Sequence, residues 1–273
     1  MTVTIAALCD ANPSIQTANI IMCADTMISY CSGGVPISSN LGGTKLYDLP
    51  HGFYAAISDD ISRNHQAGSF LYNEMKSLDP SDPYLVDLVK LAIDRTGEYV
   101  RLWMRREVLA DYGISLDEFL GKGRLTKRAE IAREIKERSI SAQFTVGGFG
   151  ANGCPVLLYT DCVNTQEQTN PGFFCAGAGM TAALDWLNFR GQNCFMSTQR
   201  TWYHVREAKD YATICPVVGS LNTTILLRPG EPPLNVSAVT TLSDSWFNDM
   251  YPRLTDKLDQ PDKQIDFFTA YKT

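Results

Sequence analysis

The sequence predicts an α+β protein in which antiparallel sheets are covered by helices. Two observations carry this. Strand-like and helix-like stretches come in blocks: strands, two helices, strands, two helices, strands. Alternating single units would instead signal a parallel sheet. No Gly-, Ser- or Pro-rich linker divides the 273 residues, so residues 1–273 read as a single domain.

Val3 to Cys9 and Asn19 to Asp25 read as strands, joined through Asp10-Ala11-Asn12-Pro13-Ser14, which has turn composition. Gly33-Gly34 and Leu41-Gly42-Gly43 mark a loop. Lys45-Leu46-Tyr47 and Gly52 to Ile57 give two short strands around a Pro50-His51-Gly52 turn. From Asp60 the period becomes helical, with Ala67, Phe70, Leu71, Met75 and Leu78 on one face. A longer helix spans about Tyr84 to Leu109, its stripe made of Leu85, Leu88, Val89, Ala92, Tyr99, Val100 and Trp103. Thr126 to Arg138 reads as an exposed, charged helix with Ala129, Ala132 and Ile135 on its apolar side.

Strands return at Gln143–Phe149 and Pro155–Thr160, linked by the hairpin turn Gly150-Ala151-Asn152-Gly153, with a third at Gly172–Ala176. Helices at Met180–Arg190 and Gln199–Ile214 precede strands near Asn222–Leu227 and Asn235–Leu242, and Leu242–Leu258 is expected to form a last helix.

The totals, 44% hydrophobic and 20% charged, are those of an ordinary soluble globular protein. A net charge of -6 without a basic run argues against nucleic acid as a partner. No apolar run approaches the roughly 18 residues of a membrane span, and no basic region precedes an apolar core at the N-terminus. A cytoplasmic protein without membrane contact is the expectation. The eight cysteines include no C-x-x-C pair and several sit in apolar strands, so they read as buried, reduced core thiols. With three histidines and no ligand spacing, no metal is expected, and no nucleotide-binding motif or other cofactor signature is present.

The chemistry-bearing stretch is Met1-Thr2-Val3-Thr4-Ile5-Ala6-Ala7. With Met1 removed, Thr2 carries a hydroxyl nucleophile and a free α-amine on one residue. That amine has an unperturbed pKa of about 7.7–8.0, so its neutral form can take the hydroxyl proton.

The order of elements, with the residues at its joints, resembles the proteasome β-subunit and bacterial HslV family of N-terminal-nucleophile (Ntn) hydrolases. Four stretches carry the resemblance, which runs from Thr2 to about Leu227: Thr2-Val3-Thr4-Ile5-Ala6-Ala7, Ile20-Ile21-Met22-Cys23-Ala24-Asp25-Thr26, Gly43-Thr44-Lys45-Leu46-Tyr47, and Phe174-Cys175-Ala176-Gly177-Ala178-Gly179. They are similar to the family's mature N-terminus, the strand bearing its acid, the segment bearing its lysine, and its Gly-Ser-Gly turn.

The resemblance implies a four-layer αββα sandwich of two antiparallel sheets, with a helical insertion at about 107–141 and a C-terminal extension at about 228–273. It implies Thr2 as nucleophile, Lys45 as the cation beside it and Asp25 as the partner of Lys45. It places Ile28, Ile57 and Ile61 in the first specificity pocket with Gly43 at its wall, and gives Ser29 and Gly43 the backbone that pairs with an extended substrate.

The chain also departs from the pattern. Ser58-Asp59-Asp60 stands where the family has the Gly-Gly pair of its oxyanion hole, so the backbone N–H of Asp59 would donate beside a carboxylate. Ala178 replaces the turn serine, and Cys215 and Val218 fall where the family has an Asp and a Ser that support the amine.

The function expected is a threonine-type peptidase acting on peptide or amide substrates. It would work as a ring-type homo-oligomer, with any ATPase supplied by a separate protein. The alternatives are a catalytically silent ring or scaffold subunit and a small-molecule amidase of the Ntn class.

Overall fold

The computed structural model of the chain describes residues 3–12, 17–26, 28–32, 35–39, 45–58, 61–121, 127–139, 143–215 and 218–236; of these, the side chains of 28–32, 35–39, 61–64 and 138–139 are not described. In chain order the elements are β1 (Val3–Asn12), β2 (Thr17–Asp25), β3 (Ile28–Ser32), β4 (Val35–Ser39), β5 (Leu46–Asp48), β6 (Tyr54–Ser58), α1 (Ile61–Lys76), α2 (Leu85–Asp111), α3 (Leu116–Leu120) and α4 (Arg128–Ser139). There follow β7 (Gln143–Phe149), β8 (Pro155–Thr160), β9 (Thr165–Glu167), β10 (Phe173–Gly177), α5 (Met180–Phe189), α6 (Thr198–Ala212), β11 (Asn222–Leu227) and β12 (Leu234–Asn235).

Two five-stranded sheets form, in the orders β10-β1-β2-β11-β12 and β5-β6-β7-β8-β9, and every strand pair in both is antiparallel. Side-chain alternation then sorts the apolar residues into three cores. Val3, Ile5, Ala7, Ile21 and Cys23 pack under α5 and α6 with Ala183, Leu187, Val205 and Ala208. Ala6, Leu8, Ile20 and Met22 turn the other way, against Leu46, Ala56 and Leu157 of the second sheet. Ala55, Ile57, Phe144, Val146 and Leu158 face α1 and α2. The chain is thus a mixed α and β sandwich with helices outside both sheets. The run Val3–Cys9, apolar but for Thr4, follows from this: it is buried on both faces and has no solvent side to alternate with. Each large side chain fully buried here contributes about 1.5–3 kcal/mol.

Several expectations need correcting. The stretch around Gly33-Gly34 is flanked by the paired strands β3 and β4, with Tyr30 opposite Ile37. β9 and α3 were not expected; α3 is started by a capping box in which Ser115 and Glu118 satisfy each other's backbone amides. On α2, Leu88 and Trp103 are only half-buried, and Ile93 and Met104 take core positions instead. On α4 the buried side chain is Ile131, packed with Ile135 against Val108 and Leu109, while Ala129 and Ala132 are exposed. The larger isoleucines remove more apolar surface from water, and they set the helix rotation. Of the cysteines, Cys9, Cys23, Cys162 and Cys175 are buried, but Cys154, Cys194 and Cys215 are only partly so; all seven are free thiols. The strand expected over Asn235–Leu242 is described only through Val236, and the helix expected over Leu242–Leu258 lies outside the described residues.

Candidate active site

Asp25 is the last residue of β2 and is completely buried. The register that sets Thr4 opposite Ala24 brings this strand end beside the start of β1. There the Val3 N–H donates to Asp25 Oδ1 at 3.1 Å. Lys45 Nζ donates to the same oxygen at 3.0 Å, and the Gly219 N–H donates to Oδ2 at 3.0 Å. One carboxylate therefore takes three donors from three separate segments: the start of β1, the residue before β5, and the loop after α6.

Lys45 arrives from the second sheet. Its carbonyl accepts the Ile57 N–H at 3.0 Å, continuing the β5–β6 ladder, so the Lys45–Asp25 pair crosses between the two sheets. Only 3% of Lys45 is exposed. Burial holds its amine below the usual lysine pKa, although the charge of Asp25 and its hydrogen bond pull in the other direction. A buried pair of this kind contributes little net stability, but either partner alone would be left as an uncompensated buried charge.

The turn after β10 closes the same corner. Gly177 sits opposite Val3 with φ of 92°, and its N–H donates to Gln143 Oε1 at 2.7 Å. A Cβ at Gly179 would lie 2.9 Å from Val218 Cγ2, 3.0 Å from Ala212 Cβ and 3.1 Å from Val3 Cβ, so only glycine lets the turn dock on the start of β1. Ala178, between them, is exposed.

The structure brings Asp25 and Lys45 together beside Val3, with Ala178 on the adjoining turn. Ile57 has no exposed surface and belongs to the core cluster with Phe144, Leu71 and Val89 beneath α1 and α2. Ile28 and Ser29 pair with Ser39 and Ser38 along the β3–β4 hairpin, and Ile61 opens α1. Their side chains, together with Thr2, Gly43 and Asp59 entirely, lie outside the described residues. Cys215 is half-buried, and Val218 packs among the apolar residues under α5 and α6. Sequence reasoning missed Gly219 and Gln143. Nothing in a sequence tells which carboxylate a backbone N–H will meet.

A second buried polar cluster lies at the other end of β1. Gln192 Nε2 donates to Thr201 Oγ1 at 3.0 Å, and Gln192 Oε1 lies 2.9 Å from His204 Nδ1. Beside it, Asp10 accepts from Asn19 and from the N–H and hydroxyl of Thr198. Burial pushes the His204 pKa down to about 4, with Arg200 adding to the effect. The Cys9 thiol beside Thr198 is pushed up to about 12 by burial, and at the other end of the strand pair burial raises Cys23 to about 11, so neither is a ready thiolate.

Comparison of the chain with models of known protein families finds no match, and comparison with curated proteins finds none either. Among the described residues, no helix is long and apolar enough to cross a membrane.

Proposed function

We propose that the chain is an N-terminal-nucleophile amide hydrolase with the αββα fold of the proteasome β-subunit and HslV family, using Thr2 once Met1 is removed. One observation carries this reading: the buried Asp25 carboxylate holds both Lys45 Nζ and the N–H of Val3, the residue next to Thr2. A purely structural carboxylate at a strand end has no reason to draw a lysine out of the opposite sheet.

In this reading the Thr2 α-amine takes the proton of Thr2 Oγ, and Oγ bonds to the substrate carbonyl carbon. Lys45, fixed by Asp25, disfavours a second positive charge beside it and so keeps the α-amine neutral. The tetrahedral oxygen accepts from a backbone N–H. When the C–N bond breaks, the α-ammonium returns the proton to the leaving amine, leaving an ester on Thr2. Water, deprotonated by the same amine, cleaves that ester. Substrates are peptides or other amides, and assembly as a homo-oligomeric ring belongs to the same proposal.

The test is turnover of a panel of chromogenic peptide amides. Thr2→Ala is expected to lower kcat by roughly a thousandfold or more with the fold intact. Equal turnover by both proteins would refute the threonine mechanism. A second reading, a silent scaffold subunit, is favoured by the apolar burial of Val218 and the missing hydroxyl at Ala178. It predicts no turnover by the processed wild type and the same assembly state for Thr2→Ala.

A further inference from the structure

Among the described residues, two lysines are buried, Lys45 and Lys209. The mechanism uses the first and leaves the second without a role. Lys209 lies in the last turn of α6, is 0% exposed, and donates from Nζ to the carbonyl of Ser220. Among the described residues, the carboxylate it pairs with is that of the exposed Asp210, at 3.5 Å. Enclosing an amino group this completely is costly unless its hydrogen bonds are well made, so its place calls for an explanation.

The loop it grips supplies one. Three consecutive residues are each tied to a different neighbour. The Gly219 N–H donates to Asp25 Oδ2 at 3.0 Å, the Ser220 carbonyl accepts Lys209, and the Leu221 carbonyl accepts the Thr26 N–H at 3.1 Å. The loop is thereby clamped between α6 and the end of β2. Lys209 also approaches β2 closely enough to oppose, by its charge, the upward shift that burial imposes on the Cys23 thiol. Val218, just before the clamped residues, offers no polar side chain to hold the loop.

We infer that Lys209 is a positioning residue: it fixes the Ser220 carbonyl so that the Gly219 N–H stays aimed at Asp25, and so sets the carboxylate that holds Lys45. It touches no substrate. The effect on turnover rests on the hydrolase proposed above; the effect on the loop does not.

The test compares Lys209→Met, which keeps length and apolar packing, with Lys209→Arg, which keeps donors for the carbonyl. Hydrogen exchange is followed at Gly219 and at the β1 and β2 amides, and peptide-amide kinetics run alongside. Lys209→Met is expected to keep its circular dichroism and to exchange the Gly219 amide roughly tenfold faster, with the β1 and β2 core unchanged. It is also expected to lose about tenfold in kcat with KM unchanged, and Lys209→Arg to regain both. Unchanged Gly219 exchange in a folded Lys209→Met overturns the inference. If Lys209→Met does not fold, Lys209→Arg decides: wild-type protection of Gly219 upholds it, and lost protection or a second failure to fold overturns it. A wild type without turnover sinks the hydrolase reading, while the exchange result still judges Lys209.

Discussion

The two ends of β1 carry two buried polar clusters of opposite character. At the far end, Gln192, Thr201 and His204 satisfy one another with neutral groups, and the Asp10 carboxylate nearby is part-exposed and bonded to hydroxyl and amide donors. At the near end, a fully buried carboxylate gathers a lysine and two backbone amides from three segments. Neutral, reciprocal networks fix a core in place. A buried charge pair gains little net stability, and the function proposed above gives it a role at the start of the strand. The contrast separates a neutral polar cluster from an ionic one within a single strand.

The largest effect that would break this contrast is at the ionic end. Asp25→Asn leaves Lys45 without its counter-charge and is expected to cost about 3–5 kcal/mol in denaturant unfolding. The double change Asp25→Asn with Lys45→Met should recover most of that loss without restoring activity. If the single change costs under about 1 kcal/mol, the pair is not the mutually dependent, buried element described.

A smaller effect sharpens the geometry. Gly179→Ala pushes a methyl group against Val218, Ala212 and Val3, with an expected loss of about 1–3 kcal/mol and a displaced strand start. Unchanged stability together with unchanged turnover would show that the turn does not set the position of β1.

The smallest effect tests the neutral end. The His204 pKa lies near 4 in the folded chain, below its unfolded value of about 6.5. The unfolded chain therefore binds the proton first, and stability present above pH 6.5 falls as pH drops from about 6.5 towards about 4. The groups around the imidazole are Arg200, Arg190, Glu207 and Gln192, the last of these neutral. Unfolding curves across this range should show the decline, and His204→Gln should flatten it; an equal slope in the variant would assign the decline to other groups.

Much of this fold was legible because the blocks of strands and helices differ in hydrophobic period. The apolar run of β1 and the stripe of α2 announce themselves in the sequence. What was not legible depended on competition between side chains of similar type. The rotation of α4 turned on Ile131 outweighing two alanines, and Ile57 looked as suitable for a pocket as for the core it occupies. At the site, Asp25 and Lys45 were singled out by the resemblance of their segments to the family, since a charge at a strand margin says little by itself. Gly219, Gln143 and Lys209 were not: the first acts through a backbone N–H, the second through a cross-sheet contact, and the third sits in a helix that carries exposed charges, Arg200 and Asp210, as well as the buried Glu207.

The central claim is that the Asp25–Lys45 pair serves a nucleophile at Thr2, and the most direct measurement is the intact mass of the purified native protein. The account predicts a mass lacking Met1, with Thr2 as the first residue. Retention of Met1 throughout the population would contradict it, because the α-amine that must accept the hydroxyl proton would be locked in a peptide bond.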